Sequence, residues 1–242
     1  MRVCQLVIII ACMLIAVACA AQSAKSASGQ ILAVSASSAT EESLLSGGPG
    51  AWNQFPVKHV ALNRTPPLFD TDEPAKAEIP FIDVRLARVG GKLLVNVSWK
   101  DATQDTVKLT PAPGTPYEGR FLKVPTEADD RFFDAVAIMF PAKTGKEEIA
   151  PSLQMGDAEH AVEIYYWNAA RGAMLMQGQG RATTRRTNQT FPAAGSYSNG
   201  LWNVTLELPN LPPGTTVAFA VWNGSQKDRD GRKYFSVWQV LE

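Results

Sequence analysis

One stretch constrains the fold more than any other: Val217 to Trp238, VAFAVWNGSQKDRDGRKYFSVW. Val217 to Trp222 is an unbroken apolar run of strand length, and Tyr234 to Val240 alternates apolar with polar side chains, as a half-buried strand does. The residues between them, Asn223 to Lys233, hold two glycines and six charged side chains, a composition that predicts an exposed turn. A chain built this way closes a sheet with a hydrophobic hairpin and carries a basic loop out of its body.

The rest of the chain repeats the strand signal. Val57, Val60 and Leu62 follow Trp52 in a first strand, and the polar Phe69 to Pro74 segment reads as a loop. Phe81 to Val89 alternates, Gly90-Gly91 supplies a hairpin turn, and Leu93 to Trp99 alternates again. Residues 101 to 131 are long, Pro-rich and Gly-bearing, the mark of a functional or disordered loop. Phe132 to Phe140 is a buried strand whose Asp134 needs a partner, because an unpaired carboxylate there is costly. Ala161 to Trp167 is a strand, 168 to 200 reads as a weakly structured excursion, and Leu201 to Leu208 alternates until Pro209. Eight to ten short strands with long loops and no long amphipathic helix predict an all-β chain, folded as an antiparallel β-sandwich.

The N-terminus carries different information. Arg2, the apolar run Leu6 to Val17 and the small residues Ala16 to Ala21 form an export signal over residues 1–20, with an apolar core too short for a permanent span. All three cysteines (Cys4, Cys12, Cys19) lie inside it, so the mature protein is expected to be exported and free of disulfides. Two processing outcomes stay open: ordinary cleavage after Ala18 or Ala20, or lipidation of Cys19 in the lipoprotein-like Ala-Val-Ala-Cys, which alone would tie the chain to a membrane. Residues 21–48, rich in Ser and Ala, read as a flexible leader with at most a short helix near Glu41 to Leu45, and 49–242 as the folded domain.

Conventional catalytic patterns are scarce. The chain has two histidines far apart, His59 and His160, with no HExxH, no GxSxG and no phosphate-binding glycine loop. Clusters for four-ligand zinc are missing. With 23 basic and 23 acidic residues the formal charge is zero, which gives no sign of a nucleic-acid partner. Six tryptophans (Trp52, Trp99, Trp167, Trp202, Trp222, Trp238) sit at or near strand ends and serve either the core or a flat apolar platform for a sugar or a macrocycle. Met139 reads as core, Met174 and Met176 lie in the excursion, and Met155, beside Gly156, reads from composition alone as a gap-filling apolar residue.

Several short motifs in order change that reading: Trp99-Lys-Asp101, Phe133-Asp-Ala-Val-Ala-Ile-Met-Phe-Pro141, Met155-Gly156 followed by Tyr166-Trp167, Phe219-Ala-Val-Trp-Asn-Gly-Ser225, Gly231-Arg-Lys233 and Trp238. From about Trp52 to Leu241 the chain resembles the ethylbenzene dehydrogenase-type haem-binding domain. That domain is the γ subunit of periplasmic molybdenum enzymes of the dimethyl sulfoxide reductase superfamily, which act on ethylbenzene, dimethyl sulfide, chlorate, selenate, nitrite or nitrate.

The resemblance implies one non-covalent haem b with a Met and a Lys as axial ligands, and these map onto Met155 and Lys233. Lys227 in the same loop is the alternative lysine, and His160 the alternative to Met155. It further implies an electron-transfer subunit without catalysis of its own. Its partners would be a molybdenum catalytic α subunit, an iron–sulfur β subunit and a soluble cytochrome or similar carrier. Family members often carry an arginine where this chain has Thr205-Leu-Glu207, so Arg229 or Arg232 would have to take over any role of that residue. The reading from a different class is an exported carbohydrate-binding or adhesion sandwich, since fold alone does not decide function.

Overall fold

The structure, a computed structural model, describes residues 29–36, 41–46, 48–66, 78–106, 132–143 and 150–242. The expected export signal with Cys19, and the stretch 107–131 of the long Pro-rich loop, lie outside the described residues.

Fifteen strands occur among the described residues. The first half of the chain contributes β1 (Gln30–Ile31), β2 (Ala33–Ser35), β3 (Lys58–Ala61), β4 (Asn63–Arg64), β5 (Phe81–Val89), β6 (Lys92–Lys100) and β7 (Ala135–Pro141). The second half contributes β8 (Val162–Asn168), β9 (Gly172–Gly178), β10 (Arg185–Arg186), β11 (Ala193–Ser198), β12 (Leu201–Pro209), β13 (Thr216–Trp222), β14 (Tyr234–Phe235) and β15 (Gln239–Leu241). Six of these have only two or three residues, which leaves nine of four or more, within the expected eight to ten.

They form two facing sheets. One runs β1-β15-β13-β7-β8-β9-β10, with β14 paired to β13 and β4; the other runs β11-β12-β6-β5-β2, with β3 also on β5. The sandwich is as expected, but the strand expected over Tyr234 to Val240 is split into β14 and β15, both antiparallel to β13, because Phe219 N donates to the Ser236 hydroxyl at 2.9 Å between them. The sheets are mixed rather than purely antiparallel, because β1 pairs in parallel with β15 and β2 in parallel with β5.

Those two parallel strands come from the stretch expected to be a flexible leader. Ile31 is buried in the main core, and a helix α1 (Glu41–Ser46), where a short one was expected, buries Leu44 against Trp52 and Leu94. The leader's few aliphatic residues thus cover a sheet edge and an outer sheet face. A second correction concerns 168–200, expected to be weakly structured: it holds β9, β10 and β11. Its polarity misleads because β10 and β11 are edge strands with exposed residues, whereas β9 carries only Gln177 and two glycines among buried or half-buried apolar side chains.

The inter-sheet core follows the pleat. In β7, Val136, Ile138 and Phe140 point inward, in β12 Val204, Leu206 and Leu208, and in β13 Val217, Phe219 and Val221. Trp202 stacks on Trp99 and meets Trp167 edge-on. Each such fully buried side chain stabilises the fold by about 1.5–3 kcal/mol.

Asp134, at the mouth of β7, finds the partners its position requires. Its Oδ2 accepts from Asp105 N at 2.7 Å and Trp202 Nε1 at 2.8 Å, and its Oδ1 from Gly224 N at 3.0 Å. It therefore ties the two sheets and the 223–233 loop together. Burial pushes its carboxyl up to about 7, against the three N–H donors that hold it down, with the nearby Asp101 charge adding to the rise. A carboxyl raised in the folded state binds its proton more tightly there than in the unfolded chain. Its stabilising contribution is complete below the unfolded value near 4 and is lost as pH climbs through about 7. Asp134→Asn should therefore flatten the fall in unfolding free energy across pH 4 to 7, while costing about 1–3 kcal/mol for mismatched donors. Denaturant titrations at several pH values check this, and an unchanged slope would contradict it.

Candidate cofactor site

The outward face of the nine-stranded sheet departs from the rule that one face of a sandwich sheet is wet and polar. Pleat alternation sends Ala135, Ala137 and Met139 of β7 outward, beside Ala218, Ala220 and Trp222 of β13. Val162, Ile164 and Tyr166 of β8 continue this face, and Met176 of β9 reaches it too. The result is a second apolar cluster on the outside, with a floor of four alanines and walls of methionine and aromatic side chains. On this floor of methyl groups the side chains of Leu153, Met155 and Trp238 pack directly, and Ala135, Ala137 and Ala218 are buried beneath the cluster.

Two loops lean over this floor. The first is Pro151 to His160. Gly156 N donates to Ser152 O at 2.9 Å, and Asp157 accepts from the backbone N–H of Ser152, Glu159 and His160. Met155 sits in the left-handed region (φ 65°), which for a long side chain is a strained choice found most often at functional positions. Its carbonyl accepts from Gly180 N at 2.8 Å, which fixes the loop to the end of β9. Only glycine fits next door: Gly156 has φ 82°, and a Cβ there would lie 2.5 Å from His160 O. Gly156→Ala should cost at least about 1–2 kcal/mol for the left-handed conformer alone and displace the Met155 side chain. An unchanged unfolding midpoint would contradict this.

The second loop is Asn223 to Lys233, expected to be an exposed turn. Its tip residues are exposed, but its base is one of the most tightly held parts of the molecule, and that is a correction. Asn223, Gly224 and Asp228 are buried, and Asp228 forms a two-pronged ion pair with Arg64 while also accepting from Asn223 N at 3.1 Å. Arg232 approaches the same carboxylate at 3.7 Å, and the Arg64 guanidinium lies over the Tyr234 ring. Charge composition misled here because the charges satisfy one another inside the loop and its neighbour β4.

At the loop's end, Lys233 is clamped by its backbone. Lys233 N donates to Thr65 Oγ1 at 2.9 Å, and Thr65 N donates to Lys233 O at 3.0 Å. Its side chain runs past the Trp222 ring, with Nζ 5.4 Å from the ring centre, and ends 3.7 Å from Met155 Sδ. Trp222 is held in turn by its Nε1 donating to Asp230 O at 3.2 Å, and by Tyr166 edge-on at 5.3 Å. Trp238 Nε1 donates to Pro151 O at 3.0 Å, linking the closing hairpin to the Met155 loop.

The structure thus brings together Met155 and Lys233, 78 residues apart, above an apolar floor. Burial lowers the Lys233 pKa, only partly opposed by the Asp230 charge. An amine whose charged form is disfavoured by burial, beside a soft thioether, is a donor pair suited to a transition metal between them. The alternatives stand elsewhere. Lys227 is exposed and in the left-handed conformation that ends the short 3-10 turn after Asn223. The His160 Nδ1 is turned to Asp157 Oδ1 at 2.7 Å within its own loop. His59 pairs with Asp83 on the outer face of the other sheet. Thr205 and Glu207 also point outward from that sheet, toward Asn96 and Lys92, so the position at which the resemblance implies an arginine lies on the other sheet from the apolar floor. Arg232 is engaged with Asp228 and Arg229 with Asp230.

Of the six tryptophans, five are buried and Trp238 is half-buried, so no flat exposed platform for a sugar exists among them. Trp222 and Trp238 instead wall the apolar face. The alanine floor went unread in the sequence, yet the signal was there: Ala135-Val-Ala137 and Ala218-Phe-Ala220 alternate small with large in two paired strands.

No family model matches the chain. A respiratory nitrate reductase heme subunit from Haloferax mediterranei is 29% identical over 200 residues, covering 78% of this chain and 64% of that protein. The chlorate reductase subunit gamma of Ideonella dechloratans is 29% identical over 63% of this chain and 61% of its own length. The dimethylsulfide dehydrogenase subunit gamma of Rhodovulum sulfidophilum is 28% identical over 77% and 70%. The chain thus spans less than two thirds of the first two relatives. Among solved structures, a family 9 carbohydrate binding module from Caldicellulosiruptor kristjanssonii in complex with glucose aligns with 15% identity and a TM-score of 0.40, covering 87% of this chain and 85% of its own, a likeness too distant to carry an argument. By sequence the chain is a relative of the gamma or haem subunits of nitrate, chlorate and dimethylsulfide oxidoreductases, the group its own motifs resemble.

Proposed function

We propose that this protein is an exported electron-transfer subunit that holds one non-covalent haem b between Met155 and Lys233. It would relay electrons between a periplasmic carrier and the iron–sulfur subunit of a molybdenum oxidoreductase. The observation that carries this reading is the meeting of Met155 Sδ and Lys233 Nζ at 3.7 Å over an apolar, alanine-floored face.

The residues fit such a group by their chemistry. Ala135, Ala137, Ala218 and Ala220 offer a flat apolar surface, Trp222 and Trp238 wall it, and both donors arrive from loops fixed by backbone hydrogen bonds. When bound, haem iron supplies a reversible one-electron couple. A thioether favours the ferrous state and raises its potential, and a ligating lysine must be neutral. The chain's part is to desolvate Lys233, so that its amine gives up a proton readily, and to hold the Met155 loop in its strained conformer. A group held by a donor from each loop would be suited to electron transfer rather than to binding a substrate.

The test is to purify the protein from the exported fraction in its native assembly. The expected result is a reduced-minus-oxidised spectrum with a sharp Soret band and low-spin α and β bands, with an iron–sulfur and a molybdenum subunit in the same complex. A colourless protein without those companions would contradict the reading.

A further inference from the structure

Residues 164–206 contain four arginines and no Asp, Glu or Lys, in a chain whose formal charge is zero. Three of them, Arg181, Arg185 and Arg186, are exposed and form no ion pair among the described residues. They sit on one built finger. Gln179 N donates to Thr183 Oγ1 at 2.8 Å, and Thr183 Oγ1 donates to Gly180 O at 2.6 Å. Arg185 and Arg186 form the strand β10 against Gln177 and Met176 of β9. Three like charges on one short finger repel one another, and none of them pairs with Asp157 or Glu159 of the adjoining loop among the described residues.

The finger borders the cofactor site. Gly180 N is the donor to Met155 O, and Gln179 Nε2 donates to Ala158 O at 2.6 Å in the same loop. Arg186 lies directly opposite Met176, which packs on the outer apolar cluster.

We propose that Arg181, Arg185 and Arg186 form a docking rim for a partner protein with a carboxylate-rich face, placed so that the partner approaches the edge of the Met155 site. This deepens the relay reading and rests on it. Three cations on a rigid, polar finger suit steering of an acidic protein. Anchoring to anionic lipid ordinarily takes a longer polybasic run or an apolar insertion as well, and the finger presents neither.

The test compares the full chain with R181Q/R185Q/R186Q and with the charge-keeping R181K/R185K/R186K. An acidic flavodoxin serves as the carboxylate-rich redox probe, at low and high ionic strength. The Gln variant should associate about tenfold more slowly at low ionic strength. The Lys variant should stay within about twofold of the parent, and the gap should close at high salt, where charges are screened. Melting curves establish that each variant is folded. Equal association by the parent and the Gln variant would overturn the proposal, as would arginine-dependent binding to phosphatidylserine vesicles in place of the flavodoxin. A colourless chain that still shows arginine-dependent association would remove the haem reading and leave the docking rim standing. A pigmented chain without it would do the reverse.

Discussion

On the proposed haem site, replacing Lys233 by alanine should turn the expected low-spin spectrum into a high-spin or ligand-exchanged one and weaken haem retention by about 100-fold or more. Removing a ligand is expected to cost at least as much as removing the groups behind it, which is about 10–100-fold. The lysine is not one of several equivalent cations. Its backbone is clamped to Thr65 on both sides, its stem passes the Trp222 ring, and burial holds its amine below the ordinary lysine range. Lys227 is exposed and ends the short 3-10 turn after Asn223, so Lys227→Ala should leave the spectrum unchanged. The opposite donor gives a different signature. Met155→Ala removes the sulfur and should shift the potential downward, because loss of a thioether favours the ferric state. An unaltered spectrum in Lys233→Ala would transfer the role to Lys227. An unaltered potential in Met155→Ala would remove Met155 from the site.

Arg64→Ala should destabilise the fold by about 3–5 kcal/mol, the usual cost of stripping the partner from a buried charge. For a domain of this size that is a fall in Tm of roughly 6–20 °C. Asp228 is 2% exposed and would keep only Asn223 N and the more distant Arg232 as partners. The damage should spread to the cofactor site, since Arg64 ends β4, Thr65 follows it, and Thr65 is what holds the Lys233 backbone. Removing both charges in Arg64→Met with Asp228→Asn should recover much of the loss, because a buried pair contributes little net stability over a well-packed neutral substitute. Calorimetry on the single and double variants decides this. A single variant that melts with the parent would show that the 223–233 loop is held by something else.

The strand pattern was legible because period-2 alternation is a local property. Phe81 to Val89, Leu93 to Trp99, Leu201 to Leu208 and Val217 to Trp222 lie where the sequence places them, whereas Tyr234 to Val240 is two short strands. What misled were segments whose polarity is satisfied at long range. Asn223 to Lys233 reads as solvated loop, yet Asp228 finds Arg64 and Gly224 finds Asp134, partners that no window of sequence brings together. Residues 168–200 look unstructured because β10 and β11 are exposed edge strands, and because the glycines of β9 hide its buried Met174 and Leu175. The leader looks free because two short parallel strands need a sheet edge before they have any hydrogen-bond partner.

The site divides in the same way. Met155 and Lys233 entered only through resemblance, for neither a lone Met nor one Lys among many carries a local signal. Their apposition belongs to the tertiary fold, whereas the Ala-x-Ala alternation in β7 and β13 is a local pattern and marks a sheet face lined with small side chains.

The most direct test is to titrate the purified mature chain with haemin and follow its absorption and iron coordination. The account predicts uptake of one equivalent, with six-coordinate low-spin bands and one sulfur in the iron's first coordination sphere by X-ray absorption. Failure to take up pigment in isolation and in the native assembly would contradict it, and so would an iron sphere without sulfur.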